Sequence, residues 1–133
     1  MFFGGNDPRD KYVGKWNFTT KGYTTLIGLP QVPYEIYDSN GLATISKSGS
    51  KGLEISLSGT PLLFKLNGKT LSTDSDFESC EEDGLYLQLR HDFTGQAESG
   101  TLIKITKTTQ GTWKNQWGEG GKATGELVVI LRR

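Results

Sequence analysis

Apolar residues recur at every second position through most of the chain. Between Tyr12 and Thr20, the residues Tyr12, Gly14, Trp16 and Phe18 share one face of an extended backbone, and Val13, Lys15, Asn17 and Thr19 share the other. That period belongs to a half-buried strand. The same spacing returns in Leu53, Ile55 and Leu57, in Leu62, Phe64 and Leu66, in Leu85, Leu87 and Leu89, and in Ile103 and Ile105. It closes the chain with Leu127, Val129 and Leu131, where Val128 and Ile130 make the opposite face apolar too. No segment sustains apolar spacing of three and four residues, so the pattern predicts little or no helix. Turn chemistry separates the runs at Asp38–Gly41, Ser48–Gly52, Asn67–Gly68, Thr94–Gln96, Gln110–Gly111 and Glu119–Lys122. Tight turns between short strands predict an antiparallel meander of about eight to ten strands, as an up-and-down barrel or a sandwich. Closure into a barrel removes the two open edges that a meander otherwise exposes.

Two stretches depart from the alternation. Residues 1–11 read as an irregular leader, rich in turn residues, which leaves 12–133 as a single barrel domain. From Lys21 to Pro33, Gly22, Gly28, Pro30 and Pro33 interrupt Tyr23, Leu26, Ile27, Leu29 and Val32. A long loop with that much apolar surface is expected to cover something.

Composition narrows the field of functions. The 133 residues carry 15 Lys and Arg against 15 Asp and Glu, so formal net charge is zero. Such a chain presents no general attraction for nucleic acid or an anionic membrane. No apolar run approaches the roughly 18–20 residues of a membrane span. Met1 to Gly5 shows neither a basic start nor a long apolar stretch, so no signal peptide is visible. One cysteine, Cys80, excludes an intramolecular disulfide, and the acidic residues around it are expected to quiet the thiol.

The Gly14-Lys15-Trp16 step at the start of the first strand resembles the opening of the lipocalin and fatty-acid-binding (calycin) barrels, as in small bacterial lipocalin-like lipoproteins. In such barrels the glycine lets the strand bend and the tryptophan plugs the closed end. The resemblance implies an arginine from the end of the last strand packed on Trp16, and Arg132 is the expected partner. It also implies a lid over the open mouth, here Lys21 to Pro33, with Leu26, Ile27 and Leu29 as the gate. The fatty-acid-binding proteins place two helices there, which this segment cannot form, so the lipocalin-like variant is preferred. The chain departs from larger lipocalins in having no C-terminal helical pattern and no disulfide. The resemblance implies a periplasmic, cell-envelope or secreted protein, tethered to a membrane only through a lipoprotein leader not visible in the sequence.

Candidate chemistry is sparse. His91 sits between Arg90 and Asp92 and reads as a solvated surface residue, since neighbours on a strand face opposite ways. Six acidic residues between Asp74 and Asp83 read as a solvated, self-repelling loop, with a weak cation site as the alternative. No nucleophile elbow or acid–base pair assembles, so no enzyme, metal or cofactor is expected. A second Gly-x-Trp step, Gly111 to Trp113, precedes Trp117, and the two indoles read as core or interface aromatics on one strand face. The alternative is an aromatic wall for a ligand, with Asn115 as a polar handle.

Two functions remain. The first is a barrel holding an apolar or amphipathic small molecule, lined by Trp16, Phe18, Phe64, Leu87, Leu89, Trp113 and Trp117 around Asn115, and gated by Leu26, Ile27 and Leu29. Gly14, Trp16 and Arg132 would form the structural barrel end. The second is a packed barrel acting as a cell-envelope interaction or structural module through its outer surface. Either would be a monomer or a weak homodimer.

Overall fold

The computed structural model describes residues 7–28 and 35–133. Among them are nine strands and a single 3-10 turn, Asp10–Tyr12. The strands are β1 (Gly14–Leu26), β2 (Glu35–Ser48), β3 (Gly52–Leu57), β4 (Thr60–Asn67), β5 (Thr70–Ser72), β6 (Asp76–Glu82), β7 (Leu85–Ser99), β8 (Leu102–Asn115) and β9 (Gly120–Arg132). All pair antiparallel in the order β5-β4-β3-β2-β1-β9-β8-β7-β6, and β5 also pairs with β7. That last pairing closes the sheet. β5 and β6 lie along successive stretches of β7, opposite Thr94–Gln96 and Leu85–His91 respectively. They act as one broken stave, so the wall is a closed antiparallel barrel of eight strands.

The alternation in the sequence becomes the inside and outside of this wall. From β1, Trp16, Phe18, Thr20, Thr24 and Leu26 point inward. Leu53 and Ile55 of β3, Phe64 of β4, Leu71 of β5, Ile103 and Ile105 of β8 and Val129 and Leu131 of β9 meet them in one buried core. This core fills the lower half of the barrel.

Several expected turns lie inside strands. Asp38–Gly41 runs within β2, with Thr19 opposite Asn40 and Phe18 opposite Gly41. Gly41 is needed there for space, because an added Cβ would press on the Phe18 ring at 3.0 Å. Thr94–Gln96 lies within β7 and Gln110–Gly111 within β8. A Cβ on Gly111 would sit 1.9 Å from the Gln88 carbonyl oxygen, so that glycine permits a tight bend of the wall rather than a chain reversal. The acidic stretch is likewise a strand, β6. The expected loop from Lys21 is cut back as well: the chain stays in β1 to Leu26.

At the closed end, Trp16 is 1% exposed and its indole N–H donates to the Tyr12 carbonyl at 2.8 Å. A guanidinium does stack on it, but from Arg133 rather than Arg132, with Cζ 4.4 Å from the ring centroid. The reason is register. Leu131 points into the core and Arg132 pairs between Asn17 and Leu102, so Arg132 faces outward. Arg133 lies past the strand and folds back beneath the barrel. It donates to the carbonyls of Gly100 at 2.9 Å, Val13 at 2.9 Å and Lys11. Gly14 has φ +129° and a Cβ there would stand 2.8 Å from Arg133 Nη1, so this step requires glycine.

The leader also belongs to this end. Arg9 is buried and donates to the carbonyls of Gly49 at 2.8 Å and Gly52 at 3.1 Å, in the turn between β2 and β3. Its other donors grip Asp7 bidentately, Nε donating to Oδ1 at 3.0 Å and Nη2 to Oδ2 at 2.7 Å. Hydrogen bonds from Arg9 hold the Asp7 carboxyl well below the usual carboxylate range.

Two outcomes follow for the closed end. Replacing Arg133 by Ala is expected to lower stability by about 1–2 kcal/mol, from one stacked cation and its carbonyl bonds, measured by urea titration. Arg132→Ala is expected to stay within about 0.5 kcal/mol; equal losses would refute the lock. Asp7→Asn should destabilise at neutral pH. Because the folded-state pKa is depressed, the carboxylate's contribution is present above the ordinary carboxylate value and fades as pH falls through the folded one. The gap between wild type and Asp7→Asn is therefore expected to be constant at neutral pH and to narrow on acidification. A gap that widens in acid would refute it.

Candidate functional site

The half of the barrel away from Trp16 is built differently. The β3–β4 hairpin is short: β2 pairs with β3 only from Ala43 to Ser48, so residues 35–42 of β2 pair with β1 alone. β4 pairs with β5 only from Lys65 to Asn67, which leaves Thr60–Phe64 of β4 without a ladder to β6. The wall therefore has a gap between β4 and β6. Phe93, an inward residue of β7, lines a cleft of about 320 Å³ in that gap together with Leu62, Phe64 and Ser75. A second cleft of about 500 Å³ continues along β6, lined by residues 76–79 of that strand and by His91, Phe93 and Lys107. A larger depression of about 720 Å³ lies around Lys51, Lys65 and Asp74, but none of the inward polar residues described next lines it.

Inside the gap the barrel carries a polar layer. His91 is 9% exposed, so the expectation of a solvated histidine is wrong. Its register explains the burial: Leu87, Leu89 and His91 follow one another on the inward face of β7. The ring is held at both nitrogens, Nδ1 sharing a hydrogen bond with Thr109 Oγ1 at 2.8 Å and Nε2 meeting Glu78 Oε1 at 2.9 Å. Across the lumen, Thr24 Oγ1 and the Tyr37 hydroxyl share a hydrogen bond at 3.2 Å, and Thr20 bonds the Ser39 hydroxyl. Lys107 projects among them, its Nζ 5.9 Å from the ring centroids of both Tyr37 and Phe93.

β6 turns its charges inward. Cys80 stands opposite Leu87, Glu78 opposite Leu89 and Asp76 opposite His91, while Phe77 faces out, 73% exposed. Burial pushes the Cys80 thiol up, and the Glu78 and Glu82 carboxylates add to that. On the outer side of β7, Asp92 is held low by a hydrogen bond from the Ser75 hydroxyl and by Arg90. No group of three metal-ligating side chains gathers among the described residues.

The residues expected to form the site divide between two packed ends. Trp16, Phe18 and Phe64 belong to the lower core. Leu26, Leu87, Leu89 and Trp113 form a second cluster with Ala123 at the opposite end. That end is closed by Trp113, whose indole N–H donates to the Ile27 carbonyl at 2.8 Å. Leu26 is a buried plug rather than a gate, and Ile27 is half exposed beside it. Leu29 lies outside the described residues, as does the rest of the expected lid to Pro33. Trp117 is 76% exposed in the turn after β8, so the two indoles do not share a strand face. Asn115 folds that turn: its side-chain oxygen accepts from the backbone N–H of Trp117 at 3.0 Å and of Glu119 at 2.9 Å, and its amide donates to Glu119 Oε1. It holds the β8–β9 reversal and offers no handle to a ligand. The gap residues Tyr37, Glu78, His91, Phe93, Lys107 and Thr109 were not singled out as a site from the sequence. Their signal was present as continued alternation, with Phe93 two positions after His91 and Lys107 and Thr109 after Ile103 and Ile105.

No protein-family model matches this chain, and no curated protein matches it. Among solved structures it is similar to a protein of unknown function from the DUF3598 family of Nostoc punctiforme, with TM-score 0.45 and 12% identity over 93% of this chain. The match covers 48% of that protein, so the chain spans about half its length.

The Cys80 thiol supplies a probe of the inner side of β6. Its alkylation by iodoacetamide is expected to reach half-maximal rate at higher pH than free cysteine. Glu78→Gln should move that point only part of the way down, because burial is the larger cause. A thiol titrating like free cysteine would contradict the inward placement of β6.

Proposed function

We propose that this protein is a non-catalytic binding barrel, lipocalin-like in plan, that takes a small amphipathic molecule through the gap between β4 and β6. The observation that carries this reading is the gap itself. One half of the barrel is packed to the wall, and the other half opens sideways onto Phe93, His91 and Lys107. An apolar body would lie against Phe93, Leu62 and Leu127, which are only half buried beside the core. The polar groups that line the inner cleft, His91 and Lys107, would receive its polar end. Ligand sites are concave and carry a few convergent polar groups; the cleft at Leu62 and Phe93 is mostly apolar, the one at Glu78 and Lys107 mostly polar, and both fall in the usual size range of about 300–1,000 Å³.

The lipocalin-like part of the reading rests on the closed end, where Gly14, Trp16 and a C-terminal arginine combine as the sequence resemblance implies. A binding role suits the chemistry better than catalysis. His91 has a carboxylate on one side and a hydroxyl on the other, but Thr109 is 3% exposed and sealed from an incoming substrate.

A ligand that binds only the folded protein raises its melting temperature. A panel of fatty acids, fatty alcohols and retinoids is expected to contain members that raise the midpoint by several degrees, about 2.7 kcal/mol at a hundredfold excess over Kd. Thr73→Trp, which narrows the gap at its rim, should cancel the shift without lowering the midpoint of the free protein by a similar amount. No shift with any member would overturn the reading.

A further inference from the structure

We propose that the molecule taken into the gap carries an acidic group, and that Lys107 holds it; this rests on the binding reading above. Lys107 stands at an inward position of β8, opposite Phe93 of β7 and Leu127 of β9. Its ammonium reaches the inner cleft between two rings, and the residue as a whole is half-buried. Among the described residues, no carboxylate lies within ion-pair distance of Nζ. An inward ammonium gives up part of its hydration, and ring faces near 6 Å return only a fraction of it. An anion would supply the rest.

Two carboxylates line the same cleft, and neither serves Lys107. Glu78 is hydrogen-bonded to His91 Nε2, and Asp76 is exposed at the start of β6. Glu78 gives one oxygen to His91, and neither carboxylate comes within ion-pair distance of Lys107. Lys107 is a cation with aromatic and apolar surface on its flanks, in a cleft it shares with Asp76 and Glu78 without pairing to either. That combination selects a carboxylate or similar anion joined to an apolar body, and discriminates against the same body ending in an alcohol.

The experiment is calorimetric titration of the full chain with decanoic acid and with decanol. The wild type is expected to bind the acid at least about tenfold more tightly than the alcohol, as one charge-assisted contact allows. Raised salt should weaken the acid and leave the alcohol unchanged. Lys107→Met should bring the acid down to the alcohol's affinity, and Lys107→Arg should retain the preference. Should Lys107→Met fail to fold, the acid-to-alcohol ratio of the wild type and its salt response decide the matter alone. Equal binding of the two compounds by the wild type overturns the acid assignment and leaves the binding reading standing. An acid preference that survives in folded Lys107→Met overturns Lys107 as the anchor. Binding of neither compound, with no other member of the ligand panel raising the midpoint, overturns both readings.

Discussion

The barrel depends on one constraint at its closed end: the stacking of Arg133 on a buried Trp16. The indole fills the bottom of the lumen, and its N–H has a partner in the Tyr12 carbonyl, so the large side chain is buried without an orphaned donor. The guanidinium then ties together segments far apart in the chain. It reaches the 3-10 turn through Lys11, the start of β1 through Val13, and the β7–β8 turn through Gly100. These contacts join the chain's beginning, late middle and end around a single ring. A meander closes only if its first and last strands meet, and β1 and β9 do so over Asn17–Leu26 with the lock just beyond their register. Arg9 does the same for the β2–β3 turn, so two arginines seal the end that packing fills.

A closed end of this strength frees the other half from the same demand. The β3–β4 hairpin stops part-way up the wall, and the stave made by β5 and β6 is broken between Ser72 and Asp76. Six strands continue above that break: β2, β1, β9, β8, β7 and β6. They cannot close on each other through main-chain hydrogen bonds alone, because β2 from residue 35 to 42 and β6 pair on one side only. The small cluster around Trp113 and Leu26 covers the top without filling the space beneath. An inward histidine, threonines and a lysine can therefore be accommodated in this half at modest cost, since the buried hydroxyls and the imidazole have side-chain partners and the lysine borders the gap.

The sequence carried the fold well because the barrel's alternation is a local property. Each inward apolar residue from Trp16 to Leu131 announces its face by its neighbours two positions away. Glycine carried a double meaning. In an open meander Gln110–Gly111 or Asn40–Gly41 marks a reversal, yet in a tightly coiled barrel the same glycines clear a crossing backbone or a ring. Nothing in the local sequence separates the two uses, because the obstruction comes from a strand far away. Arg132 and Arg133 posed a similar problem. Both follow the last apolar residue, and the choice between them turns on whether Leu131 faces in, which the two-faced run Val128–Leu131 hides.

The site was hidden for a related reason. A strand is recognised by apolar residues on its buried face, and β6 inverts that rule, with Glu78, Cys80 and Glu82 inward and Phe77 outward. The inversion is tolerable only where the inner face borders a gap rather than a core, since a carboxylate moved into the lower half would meet leucine and isoleucine without a donor. The polar-inward strand and the missing ladder beside it are thus one feature seen twice. β6 needs only β7 to hold it, and its inward carboxylate supplies the partner that keeps His91 oriented. The inward polar groups of this fold sit where the wall is incomplete, and the strand that reads least like a strand marks the place.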